Sequence, residues 1–92
     1  MLTFNSGFSL RGGFAYRKNG VIYFDIGINC SASQTAGSTF RPFTVNSSYR
    51  PKLSGFGVGD SAIARFETGG DVAVRPQSSG TIYWFAGSML VD

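Results

Sequence analysis

The sequence predicts an all-β domain, a small antiparallel β-sandwich or barrel that covers part of its surface with copies of itself. Three observations predict it. Thirteen glycines, with clusters of Ser, Asn and Thr, break the chain into short apolar runs, the pattern of strands joined by turns. No window of about 11 residues or more keeps a helical period. Charged residues make up only 14% of a chain that is 42% hydrophobic and 15% aromatic, against roughly 25% in an ordinary soluble domain. A small monomer has a large surface to solvate, so this deficit points to burial by self-association.

Strands are expected over residues 14–17, 21–30, 39–45, 53–58, 62–67, 71–75 and 81–91, with a further short one around 2–8. The first hairpin turns at Lys18-Asn19-Gly20. A two-residue Asn19-Gly20 loop sets Tyr16 opposite Tyr23 and Arg17 opposite Ile22, which mixes the faces. A three-residue loop sets Arg17 opposite Val21, Tyr16 opposite Ile22 and Phe14 opposite Phe24. Phe14, Tyr16, Ile22, Phe24, Ile26 and Ile28 then share one buried face, so the three-residue loop is expected, with Gly20 in the left-handed position of a G1 bulge.

The segment 30–38 is small and polar and reads as a loop, as does 46–52. Pro42 and Pro51 cannot donate to a ladder, so their strands should start there or lie at an edge. In the second hairpin a Thr68-Gly69-Gly70 loop sets Glu67 opposite Asp71 and Phe66 opposite Val72. Ala64, Phe66, Val72 and Val74 then face one way, and Arg65, Glu67, Asp71 and Arg75 the other. In the last strand Ile82, Trp84 and Ala86 point to one side and Tyr83 and Phe85 to the other. A strand apolar on both faces reads as covered on both, and a chain of 92 residues needs a neighbouring subunit to do that.

One domain is all that this length supports, and its core is marginal. The single cysteine allows no intrachain disulfide, and the absence of histidine removes a Cys/His zinc site. Oligomerisation is the remaining route to extra stability. Without histidine, Ser-His-Asp and Cys-His catalysis are impossible. Glu67 and Asp71 read as a solvated turn tip rather than a catalytic carboxylate pair, so no enzyme is expected. Neither a metal nor another cofactor is expected.

Gly55-Phe56-Gly57-Val58-Gly59 lacks the Lys-Ser/Thr pair and helix of a phosphate loop. Cys30 ends an apolar strand and reads as a small buried hydrophobe. The net charge of +3 comes from scattered Lys and Arg, not from the clustered cations of a nucleic-acid binder, and no run approaches the roughly 18 apolar residues of a membrane span. Neither nucleic acid nor membrane insertion is therefore expected.

Several phrases, in order, resemble the C-terminal head domains of siphophage receptor-binding and tail-fibre proteins. Tyr16-Arg17-Lys18-Asn19-Gly20-Val21-Ile22-Tyr23 is similar to the family's opening hairpin. Phe43-Thr44-Val45 followed by Ser48-Tyr49-Arg50-Pro51 is similar to its middle segment, although Val45-Asn46 stands where the pattern has Leu-Pro. Ala62-Ile63-Ala64-Arg65-Phe66 with Gly70-Asp71-Val72-Ala73-Val74 resembles its second hairpin, and residues 80–91 its last aromatic strand. The resemblance implies the head domain of a homotrimer, at the tip of a tail fibre or baseplate appendage of a virion. It implies partners in upstream fibre or baseplate segments, and binding to host cell-wall saccharides or teichoic-acid-like polymers.

A sugar site needs an aromatic plate for the apolar C–H face and polar side chains for the hydroxyls. Trp84, the single tryptophan, is the first candidate plate, against a place in the core or the trimer interface; Tyr83 replaces it if the strand is turned over. Arg65, Asp71 and Arg75 on the second hairpin suit bidentate hydrogen bonding, or form a surface charge ladder. Asp60 in Gly59-Asp60-Ser61 and Tyr49 in its loop complete the set, against plain turn and packing roles. Two other readings compete: a structural trimerisation knob, favoured if Trp84 and Tyr83 are both buried, and an OB-type single-strand nucleic-acid binder, which needs exposed aromatics interleaved with Lys and Arg.

Overall fold

The computed structural model describes residues 2–91. These form β1 (Leu2–Phe4), β2 (Phe8–Lys18), β3 (Val21–Gln34), β4 (Phe43–Val45), one 3-10 turn (Ser47–Tyr49), β5 (Gly55–Val58), β6 (Ala62–Phe66), β7 (Val72–Pro76) and β8 (Gly80–Leu90). The main sheet is antiparallel, in the order β2-β3-β8-β5-β6-β7, and β1 pairs with β4 in a small second sheet. Bridges from Phe40 to Val74 and from Thr44 to Asp71 tie the small sheet to β7. The whole curls around one core, as the all-β reading expects.

Alternation decides what the core contains. Ile22, Phe24, Ile26, Ile28 and Cys30 of β3 point inward, as do Tyr83, Phe85 and Met89 of β8, Ala62, Ala64 and Phe66 of β6, and Val72 and Val74 of β7. Phe43 closes the centre, with its ring 6.1 Å from Phe66 and 6.4 Å from Phe85, while Phe24 lies 4.6 Å from Phe66. Each such buried ring contributes about 1.5–3 kcal/mol of transfer free energy. Among the described residues no buried side-chain nitrogen or oxygen lacks a partner. Among the described residues no helix is long and apolar enough to cross a membrane.

The second hairpin takes the expected register, with Phe66 opposite Val72. The Glu67 amide bonds the Asp71 carbonyl, and Gly70 sits at φ 97°. The first hairpin does not take the expected register. Lys18 pairs with Val21, Arg17 with Ile22, Tyr16 with Tyr23 and Phe14 with Asp25, so the loop is Asn19-Gly20. Both residues have positive φ, 52° and 77°, the type I′ geometry whose twist matches that of the strands.

The expectation failed because it gave β2 a buried face. β2 is a sheet edge, and residues 14–18 are exposed on both sides. With no core to set its register, the turn sets it. Phe14 and Tyr16 therefore lie outside with Tyr23, rather than inside with Phe24.

Other boundaries move for local reasons. The strand expected over 39–45 is confined to Phe43–Val45, because Pro42 has no amide to donate; Phe40 makes only an isolated bridge. The loop expected from residue 30 starts later, since β3 runs on to Gln34, the Ser31 amide bonding the Gly7 carbonyl and Gln34 pairing with Gly80. Part of the 46–52 loop winds into the 3-10 turn.

Candidate functional site

Inward burial of Tyr83 and Phe85 forces Trp84 to the outer face of β8. Opposite it lies Gly27 of β3, itself opposite Gly12 of β2. A Cβ placed on Gly27 would fall 2.5–2.6 Å from three indole carbons, and one on Gly12 would fall 3.5 Å from Cη2. The indole thus lies flat over a floor of two glycines. It remains 42% exposed, a plate with one face on backbone and the other open.

The β5–β6 turn, Gly59-Asp60-Ser61, approaches from the other side. It comes so close that a Cβ on Gly59 would overlap the Trp84 carbonyl oxygen. Two backbone bonds anchor the turn: the Gly59 amide donates to Ala62 O (3.0 Å) and the Gln77 amide to Ser61 O (2.6 Å). Asp25 projects from β3, between Phe14 on one neighbour and Ala86 on the other. Together Asp25, Val58, Asp60, Ser61, Trp84 and Ala86 border a cleft of about 300 Å³.

Two carboxylates and a hydroxyl flank the open indole, and no cation lines the cleft. Among the described residues neither Asp25 nor Asp60 forms an ion pair. The nearest basic residue along β2, Arg11, donates to Asn29 Oδ1 (3.0 Å) on the far side of Gly27. Chemically, the cleft offers one apolar plate and several hydrogen-bond acceptors at its border.

The structure brings together Trp84 and Asp60 of the residues expected from sequence, and adds Asp25 and Ser61. Tyr83 is corrected to a core residue. It is fully buried, and its hydroxyl lies 3.0 Å from the Ser78 carbonyl and 3.1 Å from that of Gly80. Arg65 and Arg75 are exposed on the same outer face, on β6 and β7, away from the plate. Asp71 stays at the second hairpin's tip, where its neighbour Glu67 pairs with Arg41 at 3.7 Å rather than with Arg65 or Arg75. Tyr49 packs half-buried against the core beside Ala15, Arg17 and Ile22, on a different surface. Asp25 was legible as the single charge inside the apolar run of residues 21–28. The glycine floor had no sequence signal, because it depends on which strands are neighbours.

The outer face carries more than the plate. Tyr16 stacks on Tyr23 at 5.3 Å and on Phe14 at 6.1 Å, and Phe56, Val58, Ile82 and Leu90 are also exposed. A second groove, of about 340 Å³, opens at the seam between β1 and β2. Leu2, Phe4, Leu10, Phe14, Ala15 and Ile26 line it with no polar side chain, so it has nothing to orient a polar ligand.

Comparison with protein-family models, curated proteins and solved structures found no match to this chain.

Proposed function

We propose that this domain recognises a host cell-surface saccharide as the head of a bacteriophage tail appendage, and that it works as a homotrimer. One observation carries the recognition: the open, flat-lying Trp84 with Asp25, Asp60 and Ser61 at its border. A pyranose would stack its C–H face on the indole and offer its hydroxyls to the carboxylates. The knob that recognises nothing was favoured by burial of both Trp84 and Tyr83; only Tyr83 is buried.

The trimer is supported by the apolar outer face. Tyr16, Tyr23, Phe56 and Leu90 cluster at the end of it nearer the Asn19-Gly20 turn. Packing of copies through that end leaves the Trp84 cleft at the border of the interface. Weak sugar contacts, repeated on each copy, then add through avidity.

The test is binding of host cell-wall polysaccharide fragments to the native protein and to Trp84→Ala, with the solution mass measured for both. The expected result is a trimer in both cases and loss of binding in the variant. Undiminished binding by Trp84→Ala would overturn the assignment.

One observation favours a second reading. The outer aromatics are exposed rather than buried, and Arg11, Lys18, Arg65 and Arg75 share the outer face with them, the arrangement a single-strand nucleic-acid binder needs. A salt-dependent oligonucleotide shift supports that reading; its absence removes it.

A further inference from the structure

We infer that the Trp84 cleft takes an uncharged pyranose and rejects sugars carrying phosphate or carboxylate. The inference rests on the saccharide reading above and names the class of sugar. It follows from where the charges sit. The protein is net positive, +3, yet the cleft is bordered by two carboxylates and no cation. The cations of the outer face, Arg11, Lys18, Arg65 and Arg75, lie outside the cleft's lining. Arg75 is reached from Ala86 only across Val58 and Ile63, three strand spacings or about 14 Å. Arg11 is held by Asn29.

A ligand in the cleft lies against a lining that includes Asp25 and Asp60, and charges in direct contact are little screened at physiological salt, where the screening length is ~8 Å. Hydroxyl donors gain charge-assisted bonds to both carboxylates, whereas the phosphate or carboxylate group of a charged sugar adds acceptors and like charge. The flat plate adds the second requirement, a sugar with an unbroken patch of C–H on one face. An anionic wall polymer fails the first condition at this cleft, whatever C–H face its sugars offer.

Because Trp84 is the single tryptophan, its emission reports occupancy directly. The native chain is titrated with methyl glucoside, methyl galactoside and N-acetylglucosamine, then with glucose 6-phosphate and galacturonate, at low ionic strength. The expected result is a saturable change with at least one uncharged sugar, and binding weaker by roughly ten-fold or more for its charged counterpart. The Asp25→Asn/Asp60→Asn pair should bring the two within about two-fold, because the amides keep the shape and remove the charge. Arg11→Ala should leave the discrimination intact.

Charged sugars binding as well as uncharged ones overturns the inference and leaves the recognition reading standing. So does discrimination that survives the double substitution. If neither these sugars nor host-wall polysaccharide perturbs Trp84, both readings fall together.

Discussion

The indole of Trp84 rests on the bare backbone of Gly27, with no room for even one methyl group between them: a Cβ there would stand 2.5 Å from the ring. The plate is therefore set by a residue on another strand that has no side chain. Packing at this density leaves little slack.

Gly27→Ala is expected to lift or turn the indole. Overpacking of this kind costs about 1–3 kcal/mol, and Trp84 emission should shift with it. Gly12→Ala, where the added carbon makes an ordinary contact at 3.5 Å, should leave both nearly unchanged. Denaturant midpoints and emission spectra of the two variants, at equal protein concentration, make the comparison.

The first turn is set by conformation rather than by contacts. Asn19 and Gly20 both occupy the left-handed region, where an ordinary L-residue costs roughly 1–2 kcal/mol. Asn19→Val and Gly20→Ala should each lower stability by about that much, and Asn19→Gly by far less. Equal stability for all three would show that the turn does not hold the register of β2.

Tyr83 and Trp84 are neighbours on opposite faces of β8, one buried and one exposed. Tyr83→Phe removes a buried hydroxyl that reaches two carbonyls, a loss of about 0.5–1.5 kcal/mol, and should leave sugar binding unchanged. Trp84→Ala should do the reverse, costing binding more than stability. Thermal melts paired with binding isotherms separate the two.

Alkali should destabilise the fold through two groups. Burial raises the Cys30 thiol above its ordinary 9.0 and the Tyr83 phenol above its ordinary 10.0. A folded-state pKa above the unfolded one means that the stability is fully present below the unfolded value and is lost as pH rises through the folded value. Stability should be insensitive to these groups up to about pH 9 and decline beyond it. In the native protein Cys30 should resist a thiol reagent at neutral pH and react once denatured; prompt reaction in the folded state would contradict its burial.

The proposed interface predicts a change of mass. Phe56→Glu and Tyr23→Glu place a charge in the exposed apolar cluster at the turn end, so sedimentation should show monomer. Asp60→Asn, at the cleft, should leave the mass at three chains. A native protein that sediments as monomer would remove the trimer.

Much of this molecule was legible in the chain before any coordinates. Glycine spacing and period-2 alternation are local properties, and they defined the all-β class, the second hairpin down to its register, and the split that puts Phe85 and Trp84 on opposite faces of the last strand; which of those faces is inward was decided by the packed core. Cys30 was placed correctly for the same reason, since it continues the inward series of β3. The first hairpin was misjudged because hydrophobicity alone does not say whether a face has anything to pack against. Phe14 and Tyr16 are as apolar as core residues, and only the position of β2 at the sheet edge leaves them outside. The candidate cleft was still less accessible. Asp25, Asp60 and Trp84 come from three separate stretches, and the Gly12–Gly27 floor exists only because β2, β3 and β8 are adjacent. Strand order is a long-range choice made by the whole core, so no local pattern carries it.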